Sequence, residues 1–312
     1  MLKSRFIQYH LNQSPFYCLQ SKKKLANLLG ISLTKLRKLA QSENLYIERD
    51  TVDVKRDKVR RVEEPRPELK RVQKRIEQLL KRIKLPDFIH APARQRSYVS
   101  NARSHVNSAV VRSLDIKDYF SSTPSRRIYW FFHQQMRCSP DIAGLLTKLL
   151  TFKNCLPTGS PSSPLISYFG YIDMWETVDK IVKETNCILT VYMDDITISG
   201  EEVSDKLIWQ IKTQLYRCGL RDNKNKEKHY AGEVARKVTG IIIKDGKLKI
   251  PNKQYLKMYQ LRKQILREID PIKQRKLCQS LKGLESQAQQ IARANPEWMQ
   301  YILKAKFYDS KY

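Results

Sequence analysis

The sequence lacks any apolar run able to cross a membrane. Its longest uncharged stretch, Asn154 to Ile172, is broken by Pro157, Pro161, Pro164, Gly159 and Gly170, so a spanning helix is excluded and no membrane partner is expected. The N-terminal MLKSRFIQYHLNQSPF has no continuous apolar segment of the kind a secretory signal needs, which predicts a chain that stays in the cytoplasm. Cysteines are few and isolated: Cys18, Cys138, Cys155, Cys187, Cys218 and Cys278 form no C-x-x-C pair and have no His at zinc-ligand spacing. Reduced, mostly buried thiols follow, rather than a disulfide framework or a zinc site. There is no internal repeat and no low-complexity tract. Acidic residues are also scarce, 31 against 59 Lys and Arg over 312 residues, leaving a formal charge of +28. So cationic a surface calls for a polyanion, and nucleic acid is the natural one.

What is present divides into a core-like middle flanked by basic helical segments. Leu25, Leu28, Leu29, Ile31, Leu33, Leu36 and Leu39 recur at helical spacing around Gly30, predicting two short helices joined there. Such a pair resembles a helix-turn-helix but is more simply a packing unit. Lys55 to Lys84 holds 13 Lys and Arg against 5 Asp and Glu. Its second half, ELKRVQKRIEQLLKRIKL, reads as an amphipathic helix ended by Pro86. Asn252 to Tyr312 carries the same balance and reads as two or three helices interrupted at Pro271 and Pro296. Between these arms, SAVVRSLDI, CILTVYMDDITIS and KVTGIIIKDGKLKI read as strands, the last with a hairpin at Asp245-Gly246, whereas SPLISYFGYIDMWETVDKIVKE reads as helix. The expected class is α+β.

Chemistry concentrates on carboxylates inside the strand-like runs: Asp115 in S-L-D-I-K-D-Y-F and Asp194-Asp195 in V-Y-M-D-D-I-T-I-S. The flanking apolar residues want burial and ionised side chains do not. A divalent cation resolves that conflict, and two such ions shared by aspartates are a standard device for in-line phosphoryl transfer. Taken alone, Asp-Asp is more simply a hairpin turn. The context is what favours catalysis. Tyr192-Met193-Asp194-Asp195 has the form Y-x-D-D, Phe120 follows Asp115 by five positions, and Leu156-Pro157-Thr158-Gly159-Ser160-Pro161-Ser162-Ser163-Pro164 lies between.

Together these motifs resemble the palm of a reverse transcriptase. Arg60 and Arg61, in R-R-V-E-E-P, are similar to the fingers motif that meets the incoming triphosphate, and a pair of guanidinium groups suits phosphate chemically. Gly219-Leu220 with Asn223 and Lys226 is similar to the motif whose lysine sits near the departing pyrophosphate, with Lys224 and Lys228 as competitors for that role. Thr158 stands where reverse transcriptases commonly have Gln. Asn101-Ala102-Arg103-Ser104-His105 has the form N-A-x-x-H, and Val238-Thr239-Gly240 is V-T-G. Both sit where retron reverse transcriptases carry them. The resemblance runs from about Val59 to Tyr255.

The resemblance implies a right-hand polymerase fold: a helical preface over 1–50, fingers and palm over 51–250, and a basic helical thumb over 251–312. It implies two Mg²⁺ at Asp115, Ile116, Asp194 and Asp195, with the three aspartates catalytic. Nucleotide contacts fall to Arg60, Arg61, Phe120, Thr158, Gly159 and Lys226, Phe120 excluding a ribose 2′-OH. RNA contacts fall to Asn101, His105, Val238, Thr239, Gly240, Lys257, Arg262 and Lys263, His105 being assigned to RNA or to structure but not to catalysis. The implied reaction is RNA-directed DNA synthesis on a structured non-coding RNA, primed from a guanosine 2′-OH, with dNTPs as substrates and multicopy single-stranded DNA joined to RNA (msDNA) as product. A bacterial cytoplasm, antiviral defence and a separate effector protein complete the picture. The rival expectation is an RNA-binding scaffold that restrains an effector, and intact aspartates argue against it.

Overall fold

The computed structural model describes residues 7–53 and 58–295. Along the chain lie α1 (Lys22–Leu29), α2 (Leu33–Gln41), β1 (Tyr46–Asp53), β2 (Lys58–Pro65), α3 (Pro67–Leu80), β3 (Ile89–Ala91), α4 (Tyr98–Arg103) and β4 (Val110–Asp115). Next come α5 (Ser125–Trp130), α6 (Pro140–Leu150), α7 (Ser163–Gly170), α8 (Ile172–Lys183), β5 (Ile188–Tyr192), β6 (Asp195–Gly200) and α9 (Asp205–Arg217). The last elements are β7 (Lys228–Ala231), β8 (Arg236–Val238), β9 (Ile241–Lys244), β10 (Lys247–Lys249), α10 (Asn252–Arg267) and α11 (Pro271–Arg293). Helices and antiparallel strands thus mix as expected. The chain gathers into two compact units that interleave rather than follow one another. One comprises Met1–Arg94, Ile116–Ile181 and Ile208–Asn223; the other comprises Gln95–Asp115, Val182–Leu207 and Lys224–Tyr312. Among the described residues no helix is long and apolar enough to cross a membrane.

In the first unit, Ser21 and Ser32 cap α1 and α2 by accepting from the backbone N–H groups of Lys24 and Lys35, and Gly30 ends α1 in the left-handed region at φ 69°. Leu25, Leu29, Leu36 and Leu39 are buried, and the pair packs against α3 and α6. The apolar faces are therefore used internally, as a packing unit. On α3, Leu69, Val72, Ile76, Leu79 and Leu80 form the buried stripe, each contributing about 1.5–3 kcal/mol by leaving water. Gln73 lies in the same stripe. Its Nε2 donates to Tyr46 Oη at 2.7 Å and to the Leu149 carbonyl at 2.8 Å, and its Oε1 accepts from Ser160 Oγ at 2.7 Å. β1 and β2 pair antiparallel from Tyr46↔Pro65 to Asp53↔Lys58. The helix expected over Ser163 to Glu184 is two helices broken at Tyr171, where Arg127 Nε donates to the Gly170 carbonyl at 2.7 Å and so satisfies an orphan group at the end of α7.

In the second unit, β4 lies between β6 and β7, and β5 and β6 form a tight hairpin. A separate three-stranded sheet runs β8–β9–β10, its turns at Thr239-Gly240 and Asp245-Gly246 all at positive φ. Val99 and Ala102 of α4, Val111, Val238, Ile241, Ile243, Leu248, Met258 of α10 and Ile291 of α11 make one core. Asn295 closes its edge, accepting from Leu248 N at 2.7 Å and donating to the Leu248 carbonyl at 3.0 Å. Of the two or three helices expected at the C-terminus, α10 and α11 are described, α11 starting at Pro271 as expected; Pro296 onward lies outside the described residues.

Candidate active site

Asp115 closes β4 and is 5% exposed. Its register partner is Asp195, the first residue of β6, which also pairs with Tyr192 at the end of β5. Met193, at φ 58°, and Asp194 form the two-residue turn between them. The turn reading holds, and the same turn brings the acidic residues together. A two-residue hairpin puts two successive acids at its tip and lays the second beside a third.

Their electrostatics are unfavourable as they stand. Burial pushes the Asp195 carboxyl up to about 6, and the negative charges of Asp194 and Asp115 push the same way, against Lys226 and Lys228. Lys226 Nζ donates to Asp115 Oδ2 at 2.6 Å. That contact singles Lys226 out from Lys224 and Lys228, which the sequence alone left in competition. Arg112 on β4, 8% exposed, pairs with Asp205 and, at 3.3 Å, with Glu227, the residue after Lys226.

Among the described residues no three His, Cys, Asp or Glu side chains form a ready-made metal cage. The donor set still suits a hard divalent ion of the kind that binds through one or two carboxylates plus water and substrate phosphates. Mutually repelling, part-buried carboxylates are what such an ion relieves. Ile116 is buried, so only its backbone carbonyl is chemically able to ligate.

The expected nucleotide contacts other than Lys226 lie in the first unit. Arg61 is exposed and pairs with Glu48, which also takes Lys153 Nζ at 2.7 Å; the side chain of Arg60 lies outside the described residues. Thr158 is clamped to β2. Its backbone N–H and its hydroxyl both donate to Glu63 Oε2, at 3.0 and 2.8 Å. Gly159 N donates to the Glu63 carbonyl at 3.1 Å, and a Cβ at Gly159 would stand 2.6 Å from that oxygen. Gly159 thus serves close backbone approach. Phe120 is half-buried, its ring tilted on Tyr119 at 6.0 Å.

The expected RNA contacts differ in how far they are exposed. His105 is 0% exposed, with Nδ1 2.6 Å from Ser199 Oγ and Nε2 2.7 Å from Thr190 Oγ1. Asn101 is 1% exposed and donates to Thr239 Oγ1 at 3.4 Å, and that hydroxyl donates to the Tyr98 carbonyl at 3.0 Å. Val238 is buried in the core. His105, Asn101 and Val238 are thus enclosed by protein, whereas Thr239 is half-buried and Gly240 exposed. Gly240 meets nothing within 4 Å of a built Cβ and is needed for its φ of 87°, not for close approach. Lys257, Arg262 and Lys263 on α10 are exposed, Arg262 paired with Glu285 at 2.7 Å and Lys263 Nζ lying 4.6 Å over the Tyr259 ring. The sequence reading missed Glu63, Arg112, Thr190 and Ser199. The alternation Asp195, Thr197, Ser199 was the available signal for a polar face on β6.

Carboxylates at a hairpin beside a lysine, on a mixed α/β frame, are the residue types that metal-dependent nucleotidyl transfer uses. The profile of the reverse transcriptase (RNA-dependent DNA polymerase) family matches residues 52–243, and the chain belongs to that family. It is 29% identical over 269 residues to the retron Se72 reverse transcriptase of Salmonella heidelberg (strain 579083-10), covering 82% of this chain and 69% of that protein. Against the retron Ec86 reverse transcriptase of Escherichia coli it is 26% identical over 232 residues, 72% of each. Against the retron Mx162 reverse transcriptase of Myxococcus xanthus it is 24% identical over 259 residues, 72% of this chain and 53% of the relative. It is a retron-type reverse transcriptase, and its activity is RNA-directed DNA polymerisation.

Proposed function

We propose that this polymerase copies a structured non-coding RNA into msDNA, starting from a guanosine 2′-OH of that RNA, as the catalytic part of an antiviral retron with a separate effector protein. The observation that carries the catalytic reading is the register pair Asp115↔Asp195 with Asp194 at the hairpin tip. Asp115, Asp194 and Asp195 would hold two Mg²⁺, with the Ile116 carbonyl available as a further oxygen. Bound there, Mg²⁺ would supply Lewis acidity for the attacking hydroxyl and charge neutralisation for the triphosphate.

The chain's own groups do the rest. Lys226 carries a positive charge 2.6 Å from Asp115, available to the pyrophosphate oxygens as their charge develops. Arg60 and Arg61 bind the triphosphate, Thr158 and Gly159 hold the strand that carries them, and Phe120 excludes the ribose 2′-OH. Residues 251–312 act as a thumb, where Lys257, Arg262 and Lys263 follow backbone phosphates. Fingers, palm and thumb are the architecture that these roles imply.

The test is extension of an oligo(dT) primer on poly(rA) by purified protein with dTTP and Mg²⁺. Wild type extends, and Asp194→Asn falls by orders of magnitude. Near-normal extension by that variant would overturn the site assignment. Purification from cells carrying the neighbouring locus tests the retron product, which should be DNase-sensitive DNA attached to RNA.

A further inference from the structure

The β5–β6 hairpin has two unlike faces. Leu189, Val191, Ile196 and Ile198 are buried apolar residues. The opposite face carries Asp195, Thr197 and Ser199 on β6, with Thr190 beside Thr197 and Tyr192 beside Asp195. Of these, Thr190, Thr197 and Ser199 are buried. A buried polar strip is costly unless every hydroxyl finds a partner. The partner is His105, which follows α4 by two residues and touches both strands at once, Ser199 on β6 and Thr190 on β5. Each ring nitrogen meets one hydroxyl, so a single imidazole couples the hydroxyls of both strands. Ser108 Oγ lies 2.8 Å from the same Ser199 Oγ and closes the network. The far strand is fixed two residues before Tyr192 and the near strand four residues after Asp195.

α4 is itself anchored. Asn101 meets Thr239 and Thr239 meets Tyr98 across the V-T-G turn, while Val99 and Ala102 sit in the core with Ile241 and Ile243. A small group that is rigidly held on one side and bridges two strands on the other fixes how those strands lie against each other. That relation sets where the turn presents Asp194 and Asp195.

We propose that His105 is a positioning residue for the catalytic hairpin, acting through Thr190 and Ser199 on polymerisation with any template, and not a reader of the cognate RNA. The inference rests on Asp194 and Asp195 being catalytic. Misplacing reacting groups by about 1 Å costs up to ~10²-fold. His105→Leu, which removes both hydrogen bonds, should therefore lower kcat at least about tenfold on poly(rA)/oligo(dT) while the KM for dTTP stays within about threefold. His105→Gln, able to restore the bond to Thr190, should recover much of the loss, which a purely volumetric role does not explain.

Circular dichroism and a melting curve establish that each variant is folded. If His105→Leu does not fold, Thr190→Val and Ser199→Ala each remove one bond and leave the ring, and each should lower kcat in the same way. A folded His105→Leu with wild-type kcat, a change confined to KM, or a folded Thr190→Val and Ser199→Ala pair with unchanged kcat overturns the proposal. Asp195→Asn runs alongside. Full activity there sinks the catalytic assignment itself, whereas an inactive Asp195→Asn beside a fully active His105→Leu sinks only the positioning role.

Discussion

Replacing Asp195 by asparagine should make the metal-free protein more stable while abolishing its synthesis. The Asp195 carboxyl is raised from its ordinary 3.8 to about 6, by burial first and by Asp194 and Asp115 next. In the folded chain its ionised form is therefore less favourable than in the unfolded chain. Two pKa units correspond to about 3 kcal/mol at ~1.4 kcal/mol each, an upper bound for the gain on removing the charge. The sign fixes the pH window. Above about 6 the folded protein bears the full cost of the charge, between about 6 and 3.8 the cost fades as the folded state takes up its proton, and below 3.8 it is gone.

The assay is thermal unfolding of wild type and Asp195→Asn in EDTA at pH 7.5 and pH 4.5. At roughly 2–4 °C per kcal/mol for units of this size, the variant should melt several degrees higher at pH 7.5. The margin should shrink at pH 4.5. Added Mg²⁺ should raise wild type more than the variant, because a ligand that binds only the native state stabilises it in proportion to its affinity. An Asn variant that melts at or below wild type in EDTA at pH 7.5 would refute the account of a desolvated, mutually repelling carboxylate cluster.

Lys226→Gln removes the cation that holds Asp115 and opposes the rise at Asp195, so its metal-free melting temperature should fall while that of the Lys226→Gln/Asp195→Asn double variant recovers. Gly159→Ala forces a Cβ to 2.6 Å from the Glu63 carbonyl; a cost of ~1–3 kcal/mol and a raised KM for dNTP are expected, checked by urea unfolding and steady-state kinetics. Gln73→Leu strands Tyr46 Oη and the Leu149 carbonyl, while Ser160 Oγ keeps Ser162, and should cost ~2–4 kcal/mol by urea unfolding without altering Asp115, Asp194 or Asp195. Joint replacement of Lys257, Arg262 and Lys263 should make the salt dependence of RNA binding shallower, by nearer two charges than three, because Arg262 is already paired with Glu285.

The β5–β6 hairpin was legible because apolar alternation and a two-residue turn are local signals, and the α1–α2 and α3 stripes were readable for the same reason; that Asp115 lies beside it came only from the order of the motifs along the chain. What escaped was long-range or polar. β1 and β2 carry Glu48, Arg49, Asp50 and Arg60, Arg61, Glu63, a charged pattern that hides strand propensity until the two are paired. Gln73 sits at a position that reads as a polar interruption of an apolar stripe, yet it is a buried junction of three segments. The break at Tyr171 depends on Arg127, a residue far off in sequence that supplies the donor.

N-A-x-x-H and V-T-G illustrate the same limit from another side. Read along the chain they are two separate short motifs, 138 positions apart at Asn101 and Thr239, and polar side chains near a glycine invite a reading as ligand contacts. In space they are one device. The turn needs Thr239 and Gly240 at positive φ, which directs the Thr239 hydroxyl onto Tyr98 and Asn101 at the two ends of a single helical turn. The same helix then delivers His105 to the back of the catalytic hairpin. On the proposed positioning role of His105, the turn, the helix and the placement of the aspartates constrain one another through these contacts. A substitution at Thr239 that keeps the turn but removes the hydroxyl, Thr239→Ala, should consequently weaken synthesis on poly(rA)/oligo(dT) as well as on a structured RNA. Loss confined to the structured RNA would separate the V-T-G turn from the hairpin and return it to RNA recognition.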